Sequence, residues 1–378
     1  MKTYGEFPVP IGEYKVGRTQ MDFRYIAPDN SEREVTAFFF YPVDSIEGRP
    51  ASIYAFPEFH ALRDELMAKI GSPPEKIFDD GFSTGCYDDP PLSAKEKAFP
   101  VLIYNHGAGT FPQQGTLFCR DLASAGYIAV SIGHPGSGIQ KLTDGRIVAL
   151  TEEFMGDLAE YGKEAAALIM ANPQIITEKQ DREKAIEISR SLTAAPEATR
   201  FARYAELQSE DVRYIADRLD RMNAGDIPSM FTGRLQLEIG LGVFGHSFGG
   251  TTAAITCRDD ERFVCGVNLD GNMLGCLDSD LGKPFMHLCT ALAWNTNAFL
   301  LESNSGGNCF VIIDGANHYE FSDCLFTARK EALSGSRDPM EIRDIIITYT
   351  KAFFGKYLLK DGTDIESFAF GGVESIRE

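Results

Sequence analysis

Apolar and polar positions along the chain follow two different periods. Near-continuous apolar runs, bounded by glycine, proline or asparagine, recur at 99–104, 127–132, 241–244, 263–269, 284–288 and 309–313. Runs of that length and composition predict strands buried on both faces. Between them, apolar residues return every three or four positions over about 112–124, 151–223 and 339–358, the spacing of helices with one buried face. In the clearest of these, Ser209 is placed as N-cap and Glu210 and Asp211 in the first turn. Val212, Ile215, Ala216, Leu219 and Met222 line one face, and Gly225 closes the helix. Two further strands, 14–26 and 33–43, flank the turn-forming Pro28-Asp29-Asn30-Ser31 and are expected to pair antiparallel at one sheet edge.

The alternation predicts an α/β fold: a mostly parallel, eight-stranded sheet flanked by helices, with two strands antiparallel. A single domain over 1–378 is expected. The connection 45–98 reads as irregular, with a helix near 60–70 ended by Gly71, and is a candidate loop or lid over a pocket. Residues 151–240 read as a helical insertion before the strand that starts at Leu241.

That strand runs directly into Gly245-His246-Ser247-Phe248-Gly249-Gly250, and the small-residue helix Thr251-Thr252-Ala253-Ala254 follows. A strand, Gly-x-Ser-x-Gly and a helix in this order form a nucleophile elbow, a sharp turn that exposes the serine hydroxyl. The pattern also occurs at Gly81-Phe82-Ser83-Thr84-Gly85, between proline-rich acidic segments. No apolar strand enters it and no helix leaves it, so it is read as a loop and Ser247 as the nucleophile.

A serine hydroxyl needs a base, and the base needs an orienting acid. On such a sheet the three side chains must meet at the carboxyl ends of the strands. Of the histidines, only His287 and His318 follow Ser247; His287 lies inside an apolar run, and His318 just past the last one. His318 is therefore the candidate base. Asp270 ends the strand after the elbow strand and is the candidate acid, with Asp314 as its rival; Asp259 and Asp260 fall at the opposite edge. The N–H groups of Phe248 and of Ala108, in the loop His106-Gly107-Ala108-Gly109, are the candidate oxyanion donors. His106, His134 and His246 are read as loop-stabilising side chains.

Composition narrows the partners. A formal charge of −19 and a pI near 4.8 argue against nucleic acid and against anionic lipid surfaces. The start of the chain lacks an apolar signal-like region, which taken at face value places it in the cytoplasm; a processed secreted form would look the same. Eight cysteines without Cys-x-x-Cys spacing are expected to be free thiols, with no metal site and no cofactor.

The chain also resembles the plasma-type (group VII) platelet-activating-factor acetylhydrolases, members of the α/β-hydrolase superfamily. The resemblance rests on Tyr14-Lys15-Val16-Gly17, His106-Gly107-Ala108-Gly109, Asp121-Leu122-Ala123-Ser124-Ala125-Gly126-Tyr127 and the Ser247 elbow. Its most specific stretch is Asp260-Glu261-Arg262-Phe263-Val264-Cys265-Gly266-Val267-Asn268-Leu269-Asp270. The resemblance implies an acid at Asp270, a histidine at His318, and calcium-independent hydrolysis of short-chain or oxidised acyl esters, including small phospholipids. The family's secreted members associate with lipid surfaces, whereas the 151–223 region here is charged, so no stable membrane association is expected. The alternatives are an esterase resembling dienelactone hydrolases or cutinases, and a non-catalytic relative that binds a small ligand.

Overall fold

The computed structural model describes residues 5–62, 65, 81–171, 173–276, 279–327 and 333–377. Its strands are β1 (Lys15–Ile26), β2 (Glu32–Val43), β3 (Ala51–Ile53), β4 (Ser83–Asp88), β5 (Val101–Asn105) and β6 (Ile128–Ile132). A small hairpin, β7 (Gln140–Lys141) and β8 (Ile147–Val148), precedes β9 (Leu241–His246), β10 (Phe263–Leu269), β11 (Phe285–Cys289), β12 (Asn308–Ile313) and β13 (Val373–Arg377). The helices are α1 (Thr116–Ser124), α2 (Glu152–Ala171), α3 (Gln174–Thr177), α4 (Arg182–Thr193) and α5 (Pro196–Ala224). After the elbow come α6 (Phe248–Asp259), α7 (Ala291–Asn297), α8 (Cys324–Thr327) and α9 (Pro339–Phe354).

One sheet runs in the order β13-β12-β11-β10-β9-β5-β6-β2-β1-β4-β3. The stretch from β12 to β6 is parallel throughout, and β2 pairs antiparallel with both β6 and β1. This is the α/β-hydrolase class of architecture. Alternation along each strand divides the core. Ile103, Val130 and Val243 face the helices of the 152–224 region and α6, while Leu102, Tyr104, Ala129 and Phe244 face α1 and α9.

The sheet has eleven strands where eight were expected. The additions, β3, β4 and β13, are short strands; β3 and β13 close the two edges, β4 lies between β1 and β3, and pairing with neighbours makes all three strands. The second Gly-x-Ser-x-Gly is likewise not a loop. It opens β4, where Phe82, Thr84 and Cys86 are buried and alternate with the more exposed Ser83, Gly85 and Tyr87. Of the helix expected near 60–70, most lies outside the described residues.

Helix α5 starts at Pro196, so Ser209 is an interior residue and not an N-cap. Proline suits a first helical turn because its missing N–H is not needed there. Ser209 instead accepts a hydrogen bond from the Thr256 hydroxyl at 3.0 Å. Gly225 ends α5 in the left-handed conformation, as read. All eight cysteines are free thiols, and Cys324 alone is not fully buried.

Asp211, half-way along α5, is buried and takes up the polar ends of three neighbours. Arg33 donates to it twice at 2.6 Å, the Tyr25 hydroxyl at 2.7 Å, and His134 lies 3.0 Å away. Burial alone would raise this carboxyl; Arg33 and His134 outweigh it and hold Asp211 below the usual carboxylate range. Asp211→Ala leaves Arg33 buried without its counter-charge, and should cost about 3–5 kcal/mol in urea unfolding at neutral pH. Because the folded carboxyl titrates below its unfolded value, its contribution is full above the ordinary carboxylate range and fades as pH falls. The gap between wild type and variant should therefore close in acid.

Candidate active site

Strand β9 ends in Gly245 and His246, and α6 begins at Phe248, leaving Ser247 at the bend with φ 55° and ψ −124°. Such a backbone is costly for a residue with a side chain, and its neighbours hold it in place. A Cβ on Gly245 would stand 2.2 Å from the Gly249 carbonyl oxygen, and one on Gly250 1.9 Å from Asn268 Oδ1. A Cβ on Gly271 would stand 1.9 Å from the carbonyl oxygen of Ser247 itself. Three chain segments can converge on this turn only because those positions carry no side chain.

The hydroxyl of Ser247 lies 3.0 Å from Nε2 of His318, whose Nδ1 lies 2.8 Å from Oδ2 of Asp270. A carboxylate only accepts, so the His318 Nδ1–H donates to Asp270 and Nε2 is left to accept from Ser247. The second carboxylate oxygen of Asp270 accepts from the Thr290 backbone N–H at 2.6 Å. The Asp270 side chain is 2% exposed and that of His318 38%, so the acid is sealed in while the imidazole meets solvent. The loop carrying His318 begins with a capping box: the Asn317 side chain accepts from Tyr319 N–H, and Glu320 reaches back to Asn317 N–H.

Asp314, the rival acid, is exposed and lines an open cleft with Lys179 and Glu374; its carbonyl accepts from Arg337. His318 meets Asp270 instead. His287 is buried, stacked on Phe310 at 4.3 Å, and burial pushes its pKa down to about 3. Ser83 opens β4, and its backbone N–H donates to the Gly5 carbonyl.

The 106–109 loop adjoins the serine: a Cβ on Gly107 would stand 3.3 Å from that of Ser247. Phe248 is the first residue of α6, so its N–H has no intrahelical carbonyl to bond. Ala108 lies between Gly107, whose N–H donates to Gln114 Oε1, and Gly109, whose N–H donates to Ser137. The histidines read as loop-stabilising are buried. Burial and the adjacent His134 push His106 down to about 3. Burial and the nearby His318 hold His246 well below the usual range. Neutral His246 donates from Nε2 to the His318 carbonyl at 3.0 Å, tying the elbow to the histidine loop.

Sequence reasoning missed Thr290, Gln114, and the pair of Asn105 and His134, which lie 3.1 Å apart. Thr290 acts through its backbone, which no side-chain pattern reveals. Adjacent glutamines at 113 and 114 on a buried helix start were the one available signal for the second.

A family model described as platelet-activating factor acetylhydrolase, isoform II, matches residues 3–368. The chain belongs to this family. The platelet-activating factor acetylhydrolase of Canis lupus familiaris is 26% identical over 98% of this chain and 81% of the dog protein. That of Gallus gallus is 24% identical over 69% of this chain and 62% of its own length. Among solved structures, the ferulic acid esterase from Streptomyces cinnamoneus superposes with a TM-score of 0.67 at 17% identity, covering 98% of this chain and 99% of the esterase. At that identity the likeness is one of fold. Membership in the acetylhydrolase family supports a carboxylic ester hydrolase. Among the described residues, no helix is long and apolar enough to cross a membrane.

The glycine contacts lead to a paired expectation. Gly271→Ala drives a methyl group into the Ser247 carbonyl and should cost about 1–3 kcal/mol of stability, the range for overpacking. Gly162→Ala on the open face of α2, where nothing lies within 4 Å, should gain about 0.5–1 kcal/mol. Calorimetry of the two variants should move the melting temperature in opposite directions.

Proposed function

We propose that this acetylhydrolase relative is a serine carboxylic-ester hydrolase working through an acyl-enzyme. The observation that carries the reading is the line Ser247 Oγ–His318 Nε2–Asp270 Oδ2, spaced 3.0 and 2.8 Å, beside a helix N-terminus. Ser247 attacks the ester carbonyl while His318 takes its proton. The same proton then goes to the leaving alkoxide, and the alcohol departs. Water, deprotonated by His318, attacks the acyl-enzyme and releases the acid, returning the proton to Ser247. Asp270 keeps the proton of the imidazole on Nδ1 and stabilises the imidazolium.

The Phe248 N–H and the Ala108 N–H are the proposed donors to the tetrahedral oxyanion, in a helix terminus and a glycine-rich loop beside Ser247. The reaction so written is calcium-independent. The family's name supports short acyl esters, and we extend the substrate class to oxidised acyl esters and small platelet-activating-factor-like phospholipids. We place the whole chain in one α/β-hydrolase domain, with 151–240 as a helical cover over the carboxyl edge of the sheet.

A fluorophosphonate probe tests the nucleophile. It should label the wild type and Ser83→Ala, and not Ser247→Ala, whose hydrolysis of p-nitrophenyl acetate should fall on the order of 10⁶-fold. An unlabelled wild type, or a labelled Ser247→Ala, would sink the proposal.

The acid is tested separately. Asp270→Asn should lower kcat on the order of 10⁴-fold, because an amide cannot hold the same imidazole tautomer. Asp314→Asn should leave kcat unchanged, and an exchange of these results would reassign the acid.

A further inference from the structure

Strand β10 reads Phe263-Val264-Cys265-Gly266-Val267-Asn268-Leu269 and carries one carboxamide in an otherwise apolar run. Asn268 is fully buried, with Gly245 of β9 and His287 of β11 as its cross-strand neighbours. A carboxamide at such a place must find its partners inside the protein. Both ends of this one bind the same residue. Oδ1 accepts from the Gly271 N–H and Nδ2 donates to the Gly271 carbonyl, each at 2.8 Å. The second Nδ2 proton meets Nδ1 of His287 at 3.3 Å. An amide nitrogen only donates, so Nδ1 of His287 accepts, and burial keeps that ring neutral with a pKa pushed down to about 3.

The segment bracketed in this way contains Asp270. Its backbone stands at φ 57°, in the left-handed region that a residue with a side chain enters only at a cost. Bonds to neighbouring segments fix the entry to the turn: Asp270 N–H donates to the Leu288 carbonyl at 2.8 Å, and Ser247 N–H to the Leu269 carbonyl at 2.9 Å. Asn268 fixes the exit. Asn297 assists by donating to the Gly271 carbonyl and accepting from the Met273 N–H, each at 2.8 Å. The Gly271 N–H has no acceptor but Asn268 among the described residues. The carboxylate that reaches His318 thus leaves the chain between two anchored points.

We infer that Asn268 is a positioning residue for the acid: its carboxamide holds Asp270 in the left-handed turn that aims the carboxylate at His318. The inference rests on the serine-esterase reading. It also gives a task to His287, the buried histidine that the chemistry does not use, which braces the amide from β11. An aspartate at 268 would only accept, and an alanine would leave the buried Gly271 N–H without a partner. Neither Asn268 nor His287 lies where substrate would bind, so loss of the bracket should act on turnover and not on binding.

The test compares Asn268→Ala and Asn268→Thr, each alone and combined with Asp270→Asn, with folding checked by calorimetry and the wild type exposed to the fluorophosphonate probe. Asn268→Ala should lower kcat for p-nitrophenyl acetate about 100-fold, the scale of a small misplacement of a reacting group, with KM within about twofold of wild type. Asn268→Thr, whose hydroxyl offers Gly271 an acceptor at shorter reach, should recover about tenfold of that loss. In the Asp270→Asn background, adding Asn268→Ala should change kcat by less than about twofold, because the acid to be positioned is already gone. The far-downfield proton resonance of the His318 Nδ1–H should be present in the wild type and lost or displaced in Asn268→Ala. A folded Asn268→Ala with wild-type kcat and resonance overturns the inference. So does a 100-fold loss of equal size in both backgrounds, which assigns Asn268 to packing alone. If Asn268→Ala does not fold, Asn268→Thr decides, since turnover and resonance unchanged from wild type overturn the role. An unlabelled wild type is a different failure: it removes the esterase reading, and this inference with it.

Discussion

Backbone crowding around Ser247 is the constraint on which the rest of the site depends. Asn105 at the end of β5, Gly245 and Gly249 around the elbow, and Gly271 after β10 approach so closely that a single Cβ would collide. A methyl on Gly249 would stand 2.1 Å from the Asn105 carbonyl oxygen. The crowding holds Ser247 at φ 55°, a conformation with no local advantage, with its hydroxyl 3.0 Å from His318 Nε2. It also brings the 106–109 loop and the Asp270 turn to the same place. The positions of the Ser247 hydroxyl, of Asp270 and of the Phe248 and Ala108 N–H groups are therefore consequences of one steric arrangement.

Two Asp–His pairs occupy the carboxyl edge, and their difference is one of access. His134 and Asp211 are sealed in the core with Arg33, and burial holds His134 below the usual histidine range. A ring without contact with solvent or a substrate has nothing to exchange protons with; it braces Asn105, the residue before the 106–109 loop, at 3.1 Å. His318 makes a contact of similar length with Asp270, but its ring is open on one side and faces a hydroxyl on the other. Similar hydrogen-bond geometry thus serves structure in one pair and suits chemistry in the other.

Helices α2–α5 lay a second layer over this edge. They carry the buried Asp211 and also Tyr161, which stacks toward Phe248 through Phe201. The insertion braces Asn105 through Asp211 and His134, and packs on Phe248 through Phe201. Apart from the buried Asp211, the charges of this insertion lie mostly toward water, while its aromatic and aliphatic residues pack into the core.

The sequence by itself determined eight strands: six because residues buried on both faces must be apolar and the runs say so, and β1 and β2 because a turn-forming cluster separates two extended segments. It also determined the elbow, since a strand, two flanking glycines and a small-residue helix leave few other readings for Ser247. Chain order placed His318 past the last buried strand. Tertiary structure decided the matters that depend on neighbours distant in the chain. The short strands β3, β4 and β13 exist through pairing, and α5 begins at Pro196 because the polar residues at 208, 209 and 211 find buried partners on other elements. Which carboxylate meets His318 was likewise settled in space: Asp314 is only four residues away in sequence, but the parallel register of β10 and β11 delivers Asp270 at 2.8 Å. Local sequence sets the period of burial; contact between segments far apart in the chain is set only when the sheet closes around them.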